Sequence, residues 1–246
     1  MNYSIILPTL NENNHIISLI KSIGKNFINK KIKYEIIVVD DNSTDGTINT
    51  IKKEFFKNKK IRLIVRKNKK KNLAKSINLG IKNSKYENVI WMDADFQHPP
   101  KYIKKVFEHM KKNDLVIFSR FLKKSIRYFD DKKIIKENNE NQSILFNTLC
   151  NFIFYKDITD YTSGYICIKK KLIKKITLKG FYGEYFLNLM VFCKKNQLKI
   201  LELPFKEKIR KTGKSKTIGG SNIRYLILCW NYAFSIIINY IYKKLY

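Results

Sequence analysis

Asp93 and Asp95 stand one residue apart at the end of an apolar run, in the segment Val89-Ile90-Trp91-Met92-Asp93-Ala94-Asp95-Phe96-Gln97-His98-Pro99-Pro100. Such a run reads as a buried strand. The paired prolines end it and open a helix, because proline suits the first helical position, where its missing N–H costs nothing. Side chains alternate across a strand, so Asp93 and Asp95 point the same way, and Gln97 joins them if the extended geometry persists past the strand end. Two carboxylates and an amide form an all-oxygen set for a hard divalent cation. Mg2+ or Mn2+ takes such ligands, keeps positions open for phosphate oxygens, and offsets charge on a departing diphosphate. Asp-x-Asp alone is a weak motif that also occurs in solvated loops; the apolar run before it and the prolines after it favour the metal reading.

Carboxylates act this way only if a fold holds them at a rim. Short β-branched runs alternate with helix-length segments through the first half of the chain. Strands are expected over Tyr3 to Leu7, Tyr34 to Val39, Ile61 to Val65, Val89 to Met92 and Leu115 to Phe118, then near Tyr165 to Ile168 and Leu198 to Leu203, with a helix over Glu184 to Lys194. This alternation predicts an α/β, Rossmann-like architecture with a mostly parallel central sheet flanked by helices, and ligands bind such sheets beyond the carboxyl ends of the strands. Polar clusters fall at those ends: Pro8-Thr9-Leu10-Asn11-Glu12, Asp40-Asp41-Asn42-Ser43-Thr44-Asp45-Gly46, Asp93 to Gln97, and Ser119-Arg120. Asp40 and Glu12 suit hydrogen bonds from a base or ribose, whereas Asp45-Gly46 reads mainly as a helix-capping turn. The polar stretch from Phe121 to Asn141 reads as a mobile loop.

The chain has 246 residues, 44% of them hydrophobic, enough for a substantial core. Fifty Lys+Arg against 20 Asp+Glu give a net charge of +30, which draws a protein toward anionic surfaces. The Lys runs, such as Lys67 to Lys71, lack interleaved aromatics, which argues against nucleic acid. Cys150, Cys167, Cys193 and Cys229 are far apart in apolar surroundings and read as reduced core residues of a cytosol-facing protein. The N-terminus carries no secretory pattern, since Pro8 interrupts its apolar stretch at once. From Tyr225 to Tyr242 no residue carries a formal charge, and Asn231, Ser235 and Asn239 recur every fourth residue as one polar stripe. That pattern predicts an amphipathic helix lying in a membrane interface, with a helix docked on the protein's own core as the alternative. The expected division is a catalytic domain over 1–217 and a membrane-associated helical segment over 218–246.

No Gly-x-x-x-x-Gly-Lys or Gly-x-Gly-x-x-Gly is present, which disfavours a nucleoside triphosphatase or a dinucleotide dehydrogenase. The ordered motifs Leu7-Pro8-Thr9-Leu10-Asn11-Glu12, Glu35 to Thr47, Met92 to Pro100, Ser119-Arg120, Thr162-Ser163-Gly164 and Arg210-Lys211-Thr212-Gly213-Lys214-Ser215-Lys216 resemble family 2 glycosyltransferases. Within that family they are most similar to the dolichol-phosphate, or polyprenyl-phosphate, mannosyltransferase group. The resemblance implies a GT-A fold and a sugar nucleotide held by Pro8, Leu10, Glu12, Val38, Asp40 and Ala94. It also implies Mg2+ or Mn2+ on Asp93, Asp95 and Gln97, phosphate contacts from Arg120, Arg210 and Lys216, and a lipid phosphate acceptor arriving at Ser163. Asp95, Arg120 and Ser163 are thereby the residues expected at the chemistry.

The implied reaction is an inverting, metal-dependent transfer of a hexose from a nucleoside diphosphate sugar, GDP-mannose or a UDP-sugar, to a polyprenyl or dolichyl phosphate. It places the protein peripherally on the cytoplasmic face of a membrane. A phosphate monoester is already anionic and needs no general base, which fits a chain lacking the Glu-Asp pair and Gln-x-x-Arg-Trp signature of many hydroxyl-directed relatives. Two alternatives stay open: transfer to a glycan hydroxyl with Glu184 as base, and a non-catalytic basic protein that binds membranes. Leu10, Phe118, Tyr161, Asn72 and Ser76 depart from the usual residues of the group, leaving base and sugar preference open.

Overall fold

The computed structural model describes residues 1–28, 30–67, 70–122, 138–207 and 222–245. Its strands are β1 (Tyr3–Thr9), β2 (Tyr34–Asp40), β3 (Ile61–Val65), β4 (Asn88–Trp91), β5 (Leu115–Ser119), β6 (Ile166–Lys169) and β7 (Ile200–Pro204). Its helices are α1 (Ile16–Lys25), α2 (Thr47–Phe55), α3 (Leu73–Asn83), α4 (Ile103–His109), α5 (Asn138–Ile153), α6 (Lys170–Ile173), α7 (Glu184–Lys195) and α8 (Asn222–Leu245). A 3-10 turn, Pro100–Tyr102, precedes α4, with Pro100 at its first position as the sequence predicts.

The strands form one sheet in the order β3-β2-β1-β4-β6-β5-β7. All neighbours pair in parallel except at β6, which runs antiparallel to β4 and β5. Alternate residues feed two cores, one on each face. Ile6, Ile37, Val89, Trp91, Ile117 and Ile166 enter one; Ile5, Leu7, Ile36, Ile90, Met92 and Phe118 enter the other. Burial on both faces is why these strands read as continuous apolar runs. The helices lie close: a Cβ on Gly80 of α3 would sit 2.5 Å from Ile6 Cγ2, so only glycine fits there.

Two consequences place the site. Strand order reverses at β1, with β2 and β3 on one side and β4 on the other, so a crevice opens beyond the carboxyl ends of β1 and β4. Because β6 is reversed, the loop that precedes it, residues 159–165, reaches that same rim. Of the stretch expected as a mobile loop, residues 123–137 lie outside the described residues, and α5 already begins at Asn138.

The C-terminal helix docks on the protein, the alternative that the sequence leaves open. Ser235 and Asn239 of α8 are buried, and both bond Asn188 Oδ1 of α7, at 2.8 Å from Ser235 Oγ. Lys243 Nζ donates to the carbonyls of Ile153 and Phe154 at the end of α5, at 3.0 and 2.7 Å. The polar stripe therefore faces the protein, not water, because Asn188 supplies its partner. Residues 222–245 are accordingly docked through α8 on α5 and α7. The outward face is the apolar one: Ile227, Trp230, Phe234, Ile237, Ile238 and Ile241 are exposed. Among the described residues, no helix is long and apolar enough to cross a membrane. Cys150, Cys167 and Cys193 are buried free thiols as expected, whereas Cys229 is exposed because it lies on this outward side of α8.

Candidate active site

β4 ends at Trp91, so both carboxylates lie in the turn beyond it rather than in the strand. Phe96 takes φ +67°, and the Gln97 N–H donates to Asp95 Oδ1 at 3.0 Å. The extended geometry that was to align Asp93, Asp95 and Gln97 thus stops short, because an Asp side chain readily closes a turn on the N–H two residues on. Asp95 and Ala94 are buried, while the Asp93 side chain is 48% exposed. No group of three or more His, Cys, Asp or Glu side chains suited to a metal occurs among the described residues. Two carboxylates still fit a cation that takes one or two of them and completes its sphere with water and substrate phosphate, as Mg2+ does.

Along β1 and β2 the rim is tied together by short polar side chains. Asp40 is fully buried, and its carboxylate accepts from Thr9 Oγ1 at 2.9 Å, Ser43 N at 2.7 Å and Ser43 Oγ at 2.6 Å. Val38 is likewise fully buried in the core. Asp40 thus shapes the turn at the rim, and Val38 lies in the floor beneath it. Pro8, Leu10 and Glu12 keep partial exposure at the mouth of the crevice, where the Glu12 N–H donates to Thr47 Oγ1 at 2.9 Å. Asp45 accepts from Thr47 N and Asn13 N, each at 3.0 Å, ahead of Gly46 at φ +93°, the capping role expected for this pair.

Next to this rim lies a buried ion pair that single-residue inspection does not reveal. Arg66 Nη1 donates to Asp41 Oδ1 at 2.6 Å, to the Asn72 carbonyl at 3.0 Å and to Ser76 Oγ at 3.0 Å. Asn72 in turn caps α3, its Oδ1 accepting from Lys75 N at 2.8 Å. The unusual Asn72 and Ser76 are thus the polar partners that Arg66 requires.

On the other side of the crevice, Asp160 is fully buried and binds Arg120 with two parallel bonds, Nε to Oδ2 at 2.9 Å and Nη2 to Oδ1 at 2.8 Å. Arg120 Nη2 also reaches Thr162 Oγ1 at 2.6 Å. Burial alone would raise the Asp160 pKa, but Arg120 and the bonds to it outweigh that and hold it below the usual carboxylate value. Arg120 stays charged by the same pairing, despite the cost of burial. Its Nε/Nη2 edge, which a bidentate phosphate contact would use, is thereby engaged by Asp160. Glu202 of β7 organises the loop from beneath, accepting from Thr159 N at 2.9 Å and Thr159 Oγ1 at 2.7 Å. Burial raises its pKa above the ordinary value.

Ser163, expected where the acceptor arrives, is held within the 159–165 loop. Its hydroxyl is buried, donates to the Phe118 carbonyl and accepts from Tyr165 N at 3.2 Å, pinning the 159–165 loop to β5. Gly164 follows at φ +66°, which a side chain would strain. Replacing Ser163 with Ala leaves buried backbone groups without that partner. The expected loss is about 1–3 kcal/mol of stability in urea denaturation, with no selective change in acceptor requirement. Glu184 is equally committed, its oxygens accepting from Phe181 N at 2.6 Å and Tyr182 N at 3.0 Å at the start of α7. That is a structural role, against the alternative of Glu184 as base. Arg210 and Lys216 lie outside the described residues.

A switch-point crevice with an Asp-x-Asp turn, under a sheet with one reversed strand, is the arrangement of a GT-A sugar-nucleotide enzyme. The glycosyl transferase family 2 model matches residues 4–177, and the chain belongs to that family. It is 30% identical over 229 residues, 92% of this chain, to a dolichol-phosphate mannosyltransferase of Pyrococcus furiosus, and spans 62% of that protein's length. Identity to the dolichol-phosphate mannosyltransferase of Saccharomyces cerevisiae is 26% over 232 residues, 91% of this chain and 84% of the relative. Among solved structures, it resembles glucosyl-3-phosphoglycerate synthase from Mycobacterium tuberculosis with Mn2+, uridine diphosphate and glucosyl-3-phosphoglycerate. That match has a TM-score of 0.71 and 14% identity, covering 97% of this chain and 79% of the other. The same enzyme with Mg2+ and uridine diphosphate gives a TM-score of 0.72 at 13% identity, over 97% of this chain and 79% of the other. At such identity the likeness is one of fold.

Proposed function

We propose that this glycosyltransferase moves one hexosyl unit, mannose in the first instance, from a nucleoside diphosphate sugar to a polyprenyl or dolichyl phosphate at a membrane surface. One observation carries the lipid acceptor. α5 turns Ile144, Leu145, Leu149 and Phe152 to solvent, Phe152 at 82% exposure, beside the outward apolar face of α8. Phe146 of α5 meets Tyr232 of α8 at 4.6 Å between ring centroids, so the two helices touch. On its inner side the same helix holds the Arg120 loop: Asn147 Oδ1 accepts from Tyr161 N at 2.6 Å, and Nδ2 donates to Thr162 Oγ1 at 3.1 Å. An apolar platform one helix away from a buried arginine suits a molecule with a lipid tail and a phosphate head. The excess of Lys and Arg favours the anionic, cytoplasmic face of that membrane.

In this reading the crevice beyond β1 and β4 takes the donor, with Pro8, Leu10 and Glu12 at its mouth and Ala94 in its floor. Asp93 and Asp95, with Gln97, would hold Mg2+ or Mn2+, which supplies positive charge against the diphosphate. Arg120, paired with Asp160, shapes the acceptor side; Arg210 and Lys216, to which the resemblance gives phosphate contacts, lie outside the described residues. The acceptor's phosphate oxygen attacks the anomeric carbon from the face opposite the diphosphate. A new carbon–oxygen bond forms, and the old one breaks with its electron pair passing to the nucleoside diphosphate. No proton need be removed, which is consistent with Glu184 being occupied by the Phe181 and Tyr182 N–H groups.

Liposome flotation tests the platform. Phe152 and Trp230 are 82% and 72% exposed, so replacing both with Glu should cost little stability. Burial of each such ring in lipid contributes about 2–3 kcal/mol. The double variant is expected to leave the liposome fraction while still binding Mn2+ and nucleoside diphosphate. Undiminished flotation would show that lipid does not meet this face.

A further inference from the structure

His98 lies buried beneath the turn that bears the two carboxylates, and sequence reading assigns it nothing. Its Nδ1 accepts the Asp93 N–H at 3.0 Å, and its Nε2 lies 3.9 Å from Asp93 Oδ2. A ring nitrogen that accepts an N–H carries no proton itself, so the neutral ring has its proton on Nε2, the nitrogen facing the Asp93 carboxylate. The ring itself is held fast. It stacks on Tyr165 at 5.0 Å and 19°, and meets the edge of Phe205 at 5.7 Å and 73°. Tyr165 also donates through its hydroxyl to the Pro99 carbonyl at 3.2 Å, closing the turn from below.

Asp93 needs such support. Its side chain is 48% exposed, so the fixed part of this residue is its backbone, held through the N–H bonded to His98. One immobile ring addresses both its backbone N–H and its carboxylate. We propose that His98 is a positioning residue that orients Asp93 toward the divalent cation, transmitting to it the rigidity of the Tyr165 and Phe205 packing. This rests on the metal reading above. Outer partners of metal ligands act in this way, fixing the ligand's orientation without touching the metal.

The test is a Mn2+ titration read by electron paramagnetic resonance on the full chain, with uridine diphosphate or guanosine diphosphate present. Wild type, His98→Phe and His98→Asn are compared, and each is checked by thermal melting in chelator. His98→Phe keeps a stacking ring but neither nitrogen, and should raise the Mn2+ Kd by about 10–100-fold. His98→Asn keeps an acceptor near the Nδ1 position and loses the group facing the carboxylate. It should fall between the other two, and decides the matter if the Phe variant fails to fold. A wild-type Kd in either folded variant would overturn the proposal. So would losses of Mn2+ binding that merely track lost folded protein. Absence of Mn2+ binding by the wild type would instead contradict the metal site itself, and the assignment with it.

Discussion

Asp95→Ala is expected to reduce sugar transfer by on the order of 10³-fold or more, equivalent to about 4 kcal/mol of transition-state stabilisation. Asp95 is buried, and its Oδ1 also accepts the Gln97 N–H at 3.0 Å, so the Ala variant loses both a carboxylate and a turn. Asp95→Asn separates these effects. Its amide oxygen can keep the Gln97 bond while the negative charge is gone, so it should melt near wild type and still fail to bind Mn2+ and to transfer sugar. Near wild-type turnover of Asp95→Asn in the presence of chelator would show that charge at this position is not what the reaction uses.

Arg120→Ala should be the most destabilising single change at the site. It leaves the fully buried Asp160 carboxylate without its bidentate partner, a loss of about 3–5 kcal/mol near pH 7. The pH dependence has a definite sign. In the wild type Asp160 is held below the ordinary carboxylate value, so its contribution is complete above about pH 4 and is lost as pH falls through the depressed value. Without Arg120, burial alone raises the Asp160 pKa, and the variant is relieved as acid protonates it. The stability difference between the two proteins should therefore narrow from pH 7 to pH 4 in urea denaturation. A difference constant over that range would mean that the pair does not set the stability of this loop.

The parallel half of the sheet is legible in the sequence because β1, β2, β4 and β5 are buried on both faces and read as unbroken apolar runs. The polar clusters that end those strands mark the rim for the same reason: the chain becomes polar where the core stops. What is not legible depends on distant partners. The reversal of β6 follows from the chain's path between β5 and the 159–165 loop, and a four-residue strand carries no sign of direction. Strand alternation was carried past Trp91 into a turn that Phe96 takes at positive φ. The partners of Asp160 and Ser163, Arg120 and the Phe118 carbonyl, lie 40 and 45 residues away in the chain, so neither contact shows in the sequence. The α8 stripe is an amphipathic pattern whose polar side could face water or protein, and only Asn188 decides between them.

Transfer from a nucleoside diphosphate sugar to a lipid phosphate can be followed in a single assay. Purified full-length protein is incubated with Mn2+ or Mg2+, polyprenyl phosphate in liposomes, and a panel of labelled GDP- and UDP-sugars. One labelled sugar is expected to pass into the organic phase as an acid-labile lipid phosphodiester, transfer is expected to require the phosphate on the lipid, and chelator is expected to stop it. Transfer to a glycan hydroxyl with the lipid phosphate left unmodified, or a rate unaffected by chelator, would contradict this reaction.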